Sequence, residues 1–212
     1  MKPLIPRTPN QLLYVKYLRD VKIPITFGVG SAGTGKTLIA SHVGLEYLLS
    51  KKCNKIVLTR PTVNAGNDLG ALPGCLENKM SPWLSSIYQH FYRSIGEEHT
   101  KSLLKTRKIE IVPLEFCRGR SFDNSFVIAD ECQNVTKNQM LMLLTRIEED
   151  SRLVITGDTD QSDIVGINGL QHFIDIHEKY GECDFIKIIK FLDDDIQRSE
   201  IVKQVLRIYK NT

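Results

Sequence analysis

Cysteine is sparse and unpaired in this chain of 212 residues: Cys53, Cys75, Cys117, Cys132 and Cys183 contain no C-x-x-C pair. An odd, scattered set argues against a disulfide framework and against a zinc site of the usual spacing. The five histidines lack metal-ligand spacing as well, and nothing resembles H-E-x-x-H, which removes the self-contained metallohydrolase classes. No apolar run approaches the ~20 residues that a membrane span needs. The first ten residues hold three prolines and no signal-peptide core, so a soluble, cytoplasmic protein without a membrane partner is expected. Internal repeats and low-complexity segments are lacking too. An excess of charge of one sign is nearly absent: 28 basic against 25 acidic side chains leave a net +3, too little to imply nucleic acid by itself. With 42% apolar and 25% charged residues, disordered and fibrous classes are set aside. The length fits one α/β domain with a sizeable core.

What is present is a phosphate-binding loop. Gly30-Ser31-Ala32-Gly33-Thr34-Gly35-Lys36-Thr37 reads G-x-x-x-x-G-K-T, behind the strand-like run 23–29 and ahead of an amphipathic stretch, Thr37–Leu49. A loop wrapping a polyphosphate must turn its backbone N–H groups inward, which requires glycine where a Cβ would block the approach. Lys36 would reach the β- and γ-phosphates, Thr37 would ligate Mg²⁺, and the helix opening at Lys36 would direct its dipole at the anion. A nucleoside triphosphate is therefore the expected ligand, and the metal should arrive with it.

Further along, Lys55–Pro61 reads as a second buried strand, 62–79 as a long loop, and about Trp83 to Leu104 as a helix. Strands follow at Lys108–Pro113, Ser125–Glu131 and Arg152–Asp158, with a helix from about Lys137 to Glu149 between the last two. Short β-rich runs separated by helical stretches predict an α/β fold, a mostly parallel sheet with helices on both faces. In such sheets ligands sit beyond the carboxyl ends of the strands. Those ends carry the phosphate loop, Thr59-Arg60-Pro61, Asp130-Glu131 and Thr156-Gly157-Asp158 with Gln161 behind. Asp130 suits the ordering of the Mg²⁺ shell, Glu131 the polarisation of an attacking water, and Gln161 a contact to the γ-phosphate or that water. Phosphoryl transfer also wants a cation on the γ-phosphate, and Arg60, Arg146 and Arg198 all qualify.

These segments together resemble the PhoH family of ATPases, a compact RecA-like relative of the superfamily-one helicase core. The resemblance runs from Thr8-Pro9-Asn10-Gln11 through the phosphate loop, Leu58-Thr59-Arg60-Pro61, Gly70-Ala71-Leu72-Pro73-Gly74 with Lys79, Arg118-Gly119-Arg120-Ser121-Phe122, Asp130-Glu131-Cys132-Gln133-Asn134 and Thr156-Gly157-Asp158 with Gln161. It implies one ATPase domain over 1–212, with 1–10 as an N-terminal extension. Gln11 would read the adenine edge, since an amide offers both a donor and an acceptor. Arg198 becomes the first choice for the arginine finger. Ala71, Cys132 and Glu148 depart from the usual aromatic, alanine and glycine.

One RecA-like unit cannot open and close around ATP with itself, so the resemblance implies a homo-oligomer, with a hexamer the natural expectation. The basic clusters Lys101–Lys108 and Arg118–Arg120, through Lys101, Lys105, Arg118 and Arg120, would contact single-stranded RNA or DNA. Trp83, Tyr88, Phe91 and Tyr92 can stack bases, although their near-helical spacing is commoner in packing. The leading expectation is an oligomeric, helicase-like ATP hydrolase acting on a single strand. The alternative is an ATP-dependent switch or assembly factor without nucleic acid; a small-molecule kinase ranks third.

Overall fold

The structure is a computed structural model, and it describes residues 1–61, 76–181 and 183–197 together with 201, 202, 204 and 208; for 76–82 the backbone alone is described. A helix α1 (Pro9–Arg19) comes first, with Thr8 as its N-cap accepting from the Gln11 N–H and Pro9 in the first turn. Proline suits that position because its missing N–H would be unsatisfied there anyway. Strand β1 (Ile25–Gly30), helix α2 (Lys36–Leu49) and strand β2 (Lys55–Thr59) follow. Next come α3 (Leu76–Ile95), α4 (Glu97–Lys105), β3 (Ile109–Ile111), β4 (Ser125–Ala129), α5 (Lys137–Leu144), β5 (Arg152–Gly157), α6 (Gly169–Tyr180) and β6 (Ile186–Phe191).

The six strands form one sheet in the order β3-β2-β4-β5-β1-β6, and every pairing is parallel. Side chains alternate between faces along each strand. Phe126 and Ile128 of β4 therefore join Ile56, Leu58 and Val154 in a core under α1, α2, α3 and α4. Val127 and Ala129 point the other way, with Val57, Leu153 and Ile155, under α5 and α6. This is the α/β sandwich that the strand and helix periods predict. Pairing of Thr59 with Ala129, Ala129 with Ile155 and Val29 with Gly157 brings the carboxyl ends of four strands to one edge.

Several boundaries differ from expectation. The helix expected over 83–104 is two, broken at Gly96, whose φ of 88° no helix accepts. The helix expected to reach Glu149 stops at Leu144, and Ile147 instead bridges to Phe122. Residues 76–79, expected in a loop, are helical. Pro9 and Asn10 already belong to α1 rather than to an extension. Neither α1, α6 nor β6 is among the expected elements. Within the Gly70–Gly74 element all residues lie outside those described, as does Arg198.

Candidate nucleotide site

The edge where the strands end carries a cavity of about 470 Å³, lined by Gly33, Gly35, Lys36 and Thr37 from the loop and by Asp130, Glu131, Gly157, Asp158 and Gln161 from β4 and β5. Ala32 lines it too, whereas Ser31 and Gly30 line a second depression on the far side of the loop. Gly33 and Gly35 hold positive φ, 87° and 86°. Gly30 is constrained differently: a Cβ there would lie 2.3 Å from the Phe191 carbonyl oxygen, closer than any real contact. The loop is also tied from outside. Gln197 N–H donates to the Gly33 carbonyl at 2.9 Å, and the Ser31 hydroxyl to Asp193 at 3.2 Å.

Lys36 is almost wholly buried and donates to the Gly30 and Ser31 carbonyls at 2.6 and 2.9 Å and toward the Thr34 hydroxyl at 3.4 Å. Burial pushes its pKa below the ordinary lysine value, with Asp158, Asp130 and Glu131 pulling the other way. Thr34 in turn donates to Ser31 O at 3.0 Å.

Asp130 is the hub of the cluster. Its Oδ1 accepts from the Thr37 hydroxyl at 2.8 Å and from the Thr156 hydroxyl, and its Oδ2 from the Trp83 indole at 2.8 Å. Three neutral donors hold this buried carboxylate and, among the described residues, no cation pairs with it, the condition under which its charge remains available to a metal ion. Trp83 thus acts as a polar partner rather than as a free stacking platform, while Phe91 sits in the core. Arg60 stacks on the outer face of Trp83, 5.8 Å from the ring centroid.

Glu131 follows in the left-handed region, φ 55° and ψ 38°, an uncommon conformation for a residue with a Cβ. Gln133 holds it there. Its Nε2 donates to Glu131 Oε2 at 2.5 Å and its Oε1 accepts from the Asp158 N–H at 3.1 Å, so a buried amide bridges the ends of β4 and β5. Gln161 closes a 3-10 turn after Asp158 and reaches the same cavity. Neither the Gln133 bridge nor the Thr156 and Trp83 contacts were assigned from sequence. Only the position of Gln133 two residues after Glu131 carried a signal.

Other expected residues lie elsewhere. Gln11 is buried behind the loop, its Nε2 donating to Thr34 O at 2.9 Å and its Oε1 accepting from Arg7 N–H at 2.8 Å. To read a base it would exchange both partners. Arg146 stands at the amino-terminal ends of the strands, where its carbonyl accepts from Phe122 N–H, opposite the cavity. Of the basic residues, Lys101 pairs with Glu97 at 2.6 Å and Arg120 with Glu110 at 2.7 Å, whereas Lys105 and Arg118 are exposed. Lys101 and Lys105 belong to α4 on one face of the sheet, and Arg120 packs over Phe122 on the other. They flank the β3 edge from two layers.

Comparison with known proteins places this geometry. The family description "PhoH-like protein" matches residues 3–210. The PhoH-like protein of Mycobacterium tuberculosis (strain H37Rv) is 39% identical over 210 residues, covering 98% of this chain and 58% of that protein. For the PhoH-like protein of Synechocystis the figures are 36% over 208 residues, 97% and 62%, and for Protein PhoH of Escherichia coli K12 36% over 211 residues, 98% and 58%. The chain thus spans about three fifths of the length of these curated relatives. Among solved structures, the large terminase of a thermophilic bacteriophage superposes with a TM-score of 0.55 at 13% identity, over 96% of this chain and 50% of that one. The UvsW helicase of bacteriophage T4 gives 0.52 at 14%, over 90% and 61%. At such identities the likeness speaks for the fold, which is that of the RecA-like P-loop NTPases. On sequence and fold together, the chain belongs to the PhoH-like protein family.

Proposed function

We propose that this P-loop NTPase is an ATP hydrolase that works as a homo-oligomer on single-stranded RNA or DNA, with residues 1–212 acting as one ATPase unit. The observation that carries the hydrolase reading is the Thr37–Asp130 hydrogen bond at the mouth of the phosphate loop, with Glu131 the next residue along. A hydroxyl and a carboxylate so paired fit Mg²⁺. Among the described residues no three His, Cys, Asp or Glu side chains converge on a metal site, so phosphates and water would complete the shell. When bound, that ion would neutralise charge on the β,γ-bridge. Lys36 would release the Gly30 and Ser31 carbonyls for phosphate oxygens. Glu131, oriented by Gln133, would accept a proton from the attacking water, and Gln161 would contact that water or the γ-phosphate. Arg198 is the proposed finger, offered between subunits, and Gln11 the proposed reader of adenine.

The polymer reading rests on family membership and on exposed Lys105 and Arg118, with Lys101 and Arg120 beside them. Steady-state hydrolysis of Mg²⁺-ATP, titrated with single-stranded RNA and then DNA, tests both halves. Glu131→Gln should bind ATP yet lose hydrolysis by roughly 10²-fold or more, the scale of a general base; unchanged turnover would remove Glu131 from the mechanism. Stimulation by one polymer names the substrate. Hydrolysis indifferent to both would favour an ATP-dependent switch or assembly factor.

A further inference from the structure

One stripe of α3 faces the nucleotide edge. Ser86, Ile87 and His90 line the cavity, and Trp83 precedes them at the i, i+3, i+4, i+7 spacing that keeps side chains on one face of a helix. The Trp83 ring packs against the core under α1, α2, α3 and α4, and its indole N–H donates to Asp130 Oδ2 at 2.8 Å. An indole has one donor and no acceptor. The hydroxyls of Thr37 and Thr156 turn to suit a partner, whereas the packed indole serves Asp130 in one direction only. A carboxylate offers about four lone-pair sites. Thr37 and Thr156 occupy the two of Oδ1, and Trp83 takes one of Oδ2, which leaves a single site, on Oδ2, for an ion or its water.

Arg60 completes the arrangement from the end of β2. Its carbonyl accepts from Leu114 N–H at 3.1 Å, which fixes its backbone, and its guanidinium lies 5.8 Å from the Trp83 ring centroid. A cation over the face of a ring is attracted to the π cloud. It also draws electron density toward itself, which leaves the N–H at the rim a stronger donor, and groups bonded in series polarise one another in this way. We propose that Trp83 is the positioning residue that fixes the Asp130 carboxylate for the metal ion of the nucleotide, and that Arg60 acts on it through the indole face rather than on phosphate. The assignment rests on the nucleotide reading above and deepens it: the divalent-ion requirement gains a support on α3, outside the phosphate loop and the strand ends. Trp83 is the only tryptophan in the chain, so the tryptophan emission of the protein reports this one contact.

Titration of the full chain with Mg²⁺ at a fixed concentration of β,γ-methylene-ATP, followed by tryptophan emission and by calorimetry, tests it. Wild type should show an emission change with the same Mg²⁺ midpoint as the binding heat. Trp83→Phe keeps a packed ring and loses the N–H. By calorimetry its Mg²⁺ midpoint should rise about tenfold, the worth of a hydrogen bond to a charged group, while its affinity for the analogue in EDTA stays about that of wild type. Arg60→Met keeps the tryptophan and should raise the midpoint about threefold, the scale of a partly exposed cation–π contact, by both methods; it carries the test alone should Trp83→Phe fail to fold. A midpoint moved by Trp83→Phe and not by Arg60→Met strikes the arginine from the assignment and keeps the indole. A midpoint unchanged in both variants, or wild-type emission indifferent to Mg²⁺, overturns the assignment and leaves the nucleotide reading standing. So does an analogue affinity that falls equally with and without Mg²⁺, which marks a damaged site rather than a mispositioned carboxylate. Failure of wild type to bind the analogue at any Mg²⁺ concentration overturns the nucleotide reading and the assignment with it.

Discussion

The carboxyl ends of β4 and β5 and the basic flank of β3 are built on opposite terms. At the first, Asp130 is buried and held by three neutral donors, and Gln133 locks Glu131 against the next strand. At the second, Lys101 and Arg120 spend their charge on Glu97 and Glu110, and Lys105 and Arg118 lie in solvent. A site that must stabilise charge at one point needs fixed geometry. A surface that tracks a flexible polyanion needs only charge density, and its members act independently.

That contrast predicts steep, non-additive losses at the first region and shallow, additive ones at the second. Asp130→Asn should show the largest effect, lowering single-turnover ATP hydrolysis by about 100-fold or more, since metal-assisted charge stabilisation is worth several kcal/mol. Gln133→Ala comes next: kcat should fall about fivefold with KM little changed, as expected when roughly 1 kcal/mol of positioning is lost in the transition state. A combined Gln133→Ala and Glu131→Gln variant should be no worse than Glu131→Gln alone, and additive losses would show that Gln133 does not act through Glu131. Lys105→Ala and Arg118→Ala should each weaken single-strand binding a few-fold and reduce the salt slope by about one, while Glu131→Gln leaves that slope where it is. Equal slopes in all variants would detach the basic flank from the polymer.

The smallest effect is in pH. His90 sits at about 4 in the fold against an ordinary 6.5, so between those values the unfolded chain holds more protons than the folded one. The penalty for charging it is absent above pH 6.5 and grows as pH falls toward 4. Around it stand His42 and, through His42, Glu46 on α2 and Arg93 on α3. Thermal melts across that window should show a shallower decline for His90→Phe than for wild type.

Much of this was legible in the sequence because the signals were local. A strand that ends in Asp-Glu, or in Gly-x-x-x-x-Gly-Lys-Thr, states both its element and its chemistry within ten residues. α1 left a weaker signal, in Thr8-Pro9 and the spacing of Gln11, Tyr14, Val15 and Leu18, because its apolar face is interrupted by the buried Gln11 and the exposed Leu12. β6, Ile-Lys-Ile-Ile-Lys-Phe, is half-exposed at a sheet edge and lacks the continuous apolar run that marked β4. The long helix was divided by a single Gly96, which in sequence alone a helix tolerates at modest cost. What no local pattern carries is the meeting of Trp83 with Asp130, of Gln133 with Asp158, or of His42 with His90: each joins segments whose approach only the fold decides.

Gly30 shows what such long-range fitting does. It fits against the Phe191 carbonyl with no room for a side chain, and the residues just beyond Phe191 grip the loop again through Asp193 and Gln197. Asp195, between them, is fastened to Thr8 and to Asn10 at the head of α1. A ligand that draws the loop inward therefore pulls on a closed mechanical linkage. Strain entering at Gly30 leaves through the chain after β6 and through the head of α1 together, so those two stretches should gain or lose hydrogen-exchange protection as one unit.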